Sequence, residues 1–425
     1  MTNPNKGLAV PFMSVTTLFF AWGFITATID PLIPSVRAIF SLSYTESMLT
    51  QFAFFMAYGV VSLPGAALVA RAGYGRSIVI ALVAMIAGCL IIPLATHLGT
   101  YELVLVALFI IASGITVLQV AANPLAAALG PPHRSHLRLL FAQAFNSLGT
   151  VIAPFLGAAI MLSGGIFAAE DGVSSAASRR QESLGSIDTA FFIIVGMIAL
   201  LTVLILIFRK RMEAAAPSLA AGPRTPVLYA LSSRWAVFGA IAIFLYVGAE
   251  VSIGSIMINF LHSGDVLDVS LEQAGKLLSF YWLGAMVGRF IGSGLLVAVP
   301  ASRLLALFAL AAAALCLTVS QTTGDVAAYA AIAVGLFNSI MFPVIFTLTL
   351  ERSTASQAAT SGLLCMAIVG GAILPLLVGA LADKAGLHAS FLVPMAAYVA
   401  ISVFAMAAAR ARLVAVDQPA PGMAH

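Results

Sequence analysis

Apolar residues along this chain run in long blocks of helix length, with few polar residues within them. A segment that is apolar all round is solvated by lipid or buried in a core. Twelve such blocks fall at approximately 9–38, 46–70, 76–98, 101–130, 137–163, 188–209, 235–262, 273–297, 302–321, 325–351, 357–382 and 388–410. Each is long enough, as an α-helix, to cross a hydrocarbon layer about 30 Å thick. The pattern predicts an all-α membrane protein with twelve transmembrane helices. The polar stretch 209–234 gathers Pro217, Gly222, Pro223 and Pro226, the composition of a linker. It is expected to join two six-helix halves, residues 1–208 and 235–425. The Gly-, Ser- and Ala-rich stretch 164–187, with Glu170, Asp171 and Glu182, reads as a mobile loop.

Composition strengthens this reading. Residues are 61% hydrophobic and only 8% charged, where a soluble protein carries about 25% charged residues. Too little polar surface exists to face water on all sides. The net charge of +4 reflects uneven loops and gives no case for nucleic-acid binding. Placing the N-terminus in the cytoplasm puts Lys6, Arg71, Arg76, Arg134, Arg138, Arg209, Lys210, Arg211, Arg224, Arg234, Arg303, Arg352, Arg410 and Arg412 on that side. Only Arg37, Arg179, Arg180, Lys276 and Lys384 then face outward. This positive-inside bias predicts a multi-pass inner-membrane protein with both termini cytoplasmic. Cys89, Cys316 and Cys365 lie within apolar blocks, so neither a disulfide framework nor a metal centre is expected, and no cofactor either. No phosphate-binding glycine loop is followed by Lys-Ser/Thr, and no nucleophile stands with a base, so neither ATP-driven transport nor catalysis is expected.

Two carboxylates interrupt the apolar blocks deeply: Asp30 and Glu250. A carboxylate near a helix centre costs roughly 2.5–3.5 kcal/mol on insertion, so it is seldom there without a task. Such groups on a many-helix membrane chain point to coupled transport. The halves also echo each other. Gly149-Thr-Val-Ile-Ala-Pro154 resembles Gly370-Gly-Ala-Ile-Leu-Pro375, and Gly114 with Pro124 matches Gly335 with Pro343, at offsets of 219 to 221 residues. Such spacing predicts two bundles related by an axis along the membrane normal.

The segment Gly114-Ile-Thr-Val-Leu-Gln119-Val-Ala-Ala-Asn123-Pro124 resembles a signature of the fucose–galactose–glucose:proton symporters of the major facilitator superfamily. So do Arg138 to Gly149, with Gln143 and Asn146, and Gly248-Ala-Glu250-Val-Ser-Ile-Gly-Ser255. Tyr281 to Ser293 and Met366 to Pro375 extend the likeness over nearly the whole chain. The fucose symporter has a glutamate where this chain has Gln119 and no acid where it has Glu250. The glucose/galactose branch has this chain's pair, which is the closer resemblance. That branch is similar in turn to N-acetylglucosamine permeases. The resemblance implies the major facilitator fold and a sugar:proton symporter importing a hexose, glucose or galactose foremost. N-acetylglucosamine, mannose and fucose stay open as substrates, and sodium as the coupling cation. It implies a sugar, a proton and membrane lipid as partners, and a monomer.

The resemblance places the coupling aspartate at Asp30, since apolar surroundings disfavour a charged carboxylate and suit a group that loads and releases protons. The alternative is an acid that only pairs with a neighbouring helix. Glu250 is a second proton site or an acceptor for sugar hydroxyls, the alternative being a pair with Arg289. Gln119 and Asn123 share one helix face, as do Gln143 and Asn146. Their amides both donate and accept, which matches sugar hydroxyls, although such groups also bond helix to helix. Asn259 and Asn338 are the candidates in the second half. Trp22 and Tyr281 are candidates to stack on a pyranose ring, while Trp282 reads as packing. Arg289 is expected to pair with an acid or a helix end at a gate.

Overall fold

A chain in lipid must satisfy each backbone N–H and C=O internally, and the helix does this within one segment. The computed structural model of the chain describes residues 9–129, 135–167, 175–215 and 227–412, with helices and short turns and no strand among them. Among the described residues twelve helices are long and apolar enough to span a membrane. In the first half they are α1 Pro11–Phe40, α2 Tyr44–Ala72, α3 Tyr74–Leu98, α4 Tyr101–Asn123, α5 Phe141–Met161 and α6 Ala177–Glu213. In the second half they are α7 Arg234–His262, α8 Leu271–Ala298, α9 Ala301–Gln321, α10 Gly324–Leu350, α11 Ala359–Ala385 and α12 Leu387–Arg410. Lys6, Glu170, Asp171, Arg134, Arg224 and the linker residues Pro217, Gly222, Pro223 and Pro226 lie outside the described residues.

One element departs from expectation. The composition of 164–187 predicts a loop, yet α6 already begins in its middle. Ala, Arg, Gln and Glu dominate Ala176 to Glu182. They are strong helix formers, so the helix extends beyond its apolar window. Ser175 caps it, its hydroxyl accepting from the Ser178 N–H at 3.2 Å. Elsewhere proline shapes the helices. Pro343 has no N–H for the Ser339 carbonyl, and α10 is interrupted at Ser339–Ile340.

The first six helices and the last six pack in parallel patterns. In the first half α1 packs on α5, α2 and α3 on α4, and α3 on α6; in the second, α7 packs on α11, α8 and α9 on α10, and α9 on α12. Gly149 and Gly370, paired by the sequence, occupy matching places. A Cβ on Gly149 would stand 2.4 Å from the Phe20 carbonyl oxygen of α1. One on Gly370 would stand 1.9 Å from that of Phe244 in α7. The second matched pair differs: Gly114 faces Ala81 and Met85 of α3, whereas Gly335 faces Tyr281 of α8.

The halves meet through α2 on α11, α5 on α8 and α1 on α7. One end of the bundle carries Arg71, Arg76, Arg209, Arg211, Arg234, Arg303, Arg352 and Arg410; it is the Arg-rich end. At the opposite, Arg-poor end the halves are sealed. A Cβ on Gly275 of α8 would meet that of Ala158 in α5 at 2.3 Å, and the Gln51 amide donates to Ser255 Oγ at 2.8 Å. Toward the Arg-rich end, α4 and α5 share no packed face with α10 or α11 among the described residues. Among the described residues the bundle is closed at one end and open at the other.

Candidate functional site

Five helices enclose one polar cavity of about 200 Å³ between the halves. Asp30 and Thr26 reach it from α1, Gln51 and Phe55 from α2, Asn146, Ser147 and Thr150 from α5, Glu250 from α7, and Trp282, Met286 and Arg289 from α8. The close α1–α5 contact at Gly149 and Gly23 sets the two polar helices side by side, and the Asn146 amide donates to the Phe19 carbonyl at 3.1 Å.

Asp30 is 4% exposed. The Trp282 indole donates to its Oδ2 at 3.2 Å, a bond across the two halves. A carboxyl so enclosed has few partners to offset its desolvation. Glu250 faces it from the other half and is half-buried. Tyr246, one turn earlier on α7, donates its hydroxyl to Glu250 Oε1 at 2.7 Å. Arg289 is exposed to the open side, and its Nη1 donates to Ser147 Oγ at 2.7 Å. Neither carboxylate is ion-paired with it within 4.0 Å among the described residues. The cavity thus presents two acids, one cation and several groups able to donate or accept.

Of the residues singled out in the sequence, Asp30, Glu250, Asn146 and Arg289 come together here. The others stand elsewhere in this conformation. Gln119 is half-buried and its amide donates to Tyr58 Oη at 3.1 Å. Asn123 has a buried Oδ1 without a partner, and Asn259 likewise a buried Nδ2, on α7 toward the sealed end. Gln143 is half-buried one turn before Asn146. Trp22 is buried, its ring 4.1 Å from that of Phe19. Tyr281 and Asn338 belong to a buried chain inside the second half. Tyr281 donates to the Glu250 carbonyl at 3.0 Å, Asn338 donates to Tyr281 Oη at 2.7 Å, and Tyr398 donates to Asn338 Oδ1 at 2.7 Å. That chain orients the backbone beneath Glu250 without reaching the cavity.

Trp282, Ser147 and Gln51 line the cavity and Tyr246 bonds Glu250 at its edge; the sequence singles out only Trp282 of these four, and as packing. Yet a buried indole N–H needs an acceptor, and Asp30 is one. Tyr246 lies four residues before Glu250, on the same helix face. Gln51 is an amide set in an apolar helix. Ser147 carried no signal.

Among the described residues no three His, Cys, Asp or Glu side chains converge as a metal site, and the three cysteines are free. Residues 13–367 match the Major Facilitator Superfamily model. The chain is 43% identical over 410 residues to the glucose/galactose transporter of Brucella abortus biovar 1 (strain 9-941), covering 95% of each chain. It is 30% identical to the L-fucose-proton symporter of Escherichia coli (strain K12), covering 94% of this chain and 93% of that one. The crystal structure of the transporter FucP in the outward conformation superposes with a TM-score of 0.68 at 28% identity, over 95% of this chain and 100% of that one. With the twelve-helix fold, the parallel packing patterns and the cavity between the halves, these likenesses establish that the chain belongs to the major facilitator superfamily, in the family of the glucose/galactose transporters and L-fucose–proton symporters.

Proposed function

We propose that this protein imports a hexose, glucose or galactose foremost, together with a proton, by alternating access. The observation that carries the reading is Asp30: an enclosed carboxylate on one half, held by Trp282 of the other, in the cavity where the halves meet. A proton arriving there neutralises the carboxylate before the cavity closes around it. Sugar hydroxyls meet Asn146, Glu250, Thr150 and Arg289, which together offer donors and acceptors. Trp282 supplies an apolar ring for the sugar face. Gln119, Asn123, Gln143 and Asn259 stay in the proposal as groups that the opposite conformation brings to the ligand, Asn123 and Asn259 having buried atoms still without partners. The positive-inside rule supports taking the Arg-rich end as cytoplasmic; on that reading the opening faces inward across an inner membrane, both termini are inside and the monomer is the working unit.

Sugar-dependent acidification inside proteoliposomes, in sodium-free buffer, tests the reading directly. Glucose or galactose is expected to acidify the lumen. Acidification by fucose, mannose or N-acetylglucosamine instead would reassign the sugar. Uptake that needs sodium and moves no protons would overturn proton coupling.

Glu250→Gln separates two roles. As an acceptor of sugar hydroxyls, an ionised carboxylate contributes about 1.5–3 kcal/mol per bond. The half-saturating sugar concentration is therefore expected to rise at least tenfold while the accumulation ratio at saturation is kept. A lost accumulation ratio with unchanged half-saturation would make Glu250 a second proton site.

A further inference from the structure

At the Arg-poor end one carboxylate ties the halves together. Asp383 lies on the last turn of α11, and the start of α2 lies against it from the other half. Its Oδ1 accepts from the Tyr44 N–H at 2.8 Å. Its Oδ2 accepts from the Thr45 N–H at 2.8 Å and from Thr45 Oγ1 at 2.6 Å. Gly379, one turn earlier on the same face, makes the approach possible, since a Cβ there would stand 2.9 Å from the Tyr44 carbonyl oxygen. We propose that Asp383 is a reversible latch, a cap lent by α11 to α2 that holds this end shut and must release each time it opens.

The α2 helix does not need Asp383 in order to start. Ser43 and Glu46 form its own capping box, Ser43 Oγ accepting from the Glu46 N–H and the Glu46 carboxylate from the Ser43 N–H. Asp383 takes the N–H groups of Tyr44 and Thr45 that this box leaves over, where the helix end carries partial positive charge. Asp383 is exposed, Tyr44 and Thr45 are half-buried, and water reaches the bonds between them. When the latch opens, water replaces each partner, so release is cheap and the hold is modest. Arg37 adds to the hold, stacked 3.8 Å over the Tyr44 ring and attracting the Asp383 carboxylate, while Glu46 and Asp383 repel each other. Among the described residues, the other pair across the halves, α5 with α8, has no carboxylate lent as a cap at this end; its side-chain bond, Arg289 to Ser147, lies toward the open side. At the Arg-poor end α8 is capped by its own Ser270, which accepts from the Gln273 N–H.

The latch concerns the balance of conformations and stands apart from which solute or cation is carried. Spin labels at Glu102→Cys and Asp325→Cys, exposed starts of α4 and α10 on opposite halves, report the opening of this end in a Cys365→Ser background. Pulsed dipolar spectroscopy in nanodiscs is expected to show a short distance with Asp383 present. Asp383→Asn and Asp383→Ala should raise the ratio of open to closed roughly fivefold, the scale of one lost helix cap. Thr45→Val, which removes one bond and is gentle to the fold, should give a smaller shift in the same direction. Unchanged distance distributions in all three monodisperse variants would overturn the latch.

Discussion

Asp30→Asn is expected to abolish uphill sugar accumulation while leaving sugar exchange intact. Asparagine keeps the shape of the side chain and an oxygen to accept the Trp282 indole N–H, now 3.2 Å away. It cannot carry a proton at any physiological pH. One charge moved inward gains about 2.3 kcal/mol per 100 mV. That drives roughly 50-fold accumulation of a neutral sugar at one proton each. Without coupling the ratio falls to unity. Counterflow, in which labelled sugar exchanges against unlabelled with no net proton movement, should run on, because the carrier with asparagine resembles the protonated wild type. Two results would count against this account. Retained accumulation would place the coupling proton elsewhere, with Glu250 the next carboxylate in the cavity. Loss of counterflow together with accumulation would make Asp30 a structural partner of Trp282.

The parts of this molecule that were legible in the sequence are those set by lipid. Twelve apolar blocks became twelve helices because the helix satisfies its backbone within one segment, and blocks this long and without alternation do not suit the strands of a closed barrel. Asp30, Glu250 and Arg289 stood out because a charge is conspicuous in such blocks, and the cavity collects all three. Amides were less readable. Asn146 and Asn338 look alike in sequence, yet one lines the cavity and the other ties Tyr281 to Tyr398 inside a bundle. The difference depends on how far each helix is rotated about its axis, which uniformly apolar flanks do not encode. Trp282 was misjudged for the same reason, since its partner lies 252 residues away on another half. The Asp383 bonds escaped notice because an acid at a helix end beside Lys384 looks like ordinary solvated surface.

Gly149→Val and Gly370→Val are expected to be among the most damaging single substitutions in the chain. At Gly149 a Cβ would fall 2.4 Å from the Phe20 carbonyl oxygen and 2.7 Å from the Phe24 nitrogen. At Gly370 it would fall 1.9 Å from the Phe244 oxygen and 2.6 Å from its carbonyl carbon. These are backbone atoms, so no rotamer change relieves the clash; two helices must separate along their length. In membranes close backbone approach through small residues is itself the source of helix association, so separation loses the contact as well as straining it. Overpacking of this kind costs about 1–3 kcal/mol where side chains can yield, and here more is expected. The α1–α5 contact also sets Asp30 beside Asn146, and the α7–α11 contact holds the helix that carries Glu250. Surviving protein should therefore lose transport too. Gly196→Val is the matched control, for no atom lies within 4 Å of a Cβ at that position, and an added apolar side chain there faces lipid. Thermal midpoints in detergent and elution profiles should separate the three: a near-neutral Gly196→Val, and two variants that melt markedly lower or aggregate. A Gly149→Val protein that stays monodisperse and transports at the wild-type rate would show that α1 and α5 do not touch there.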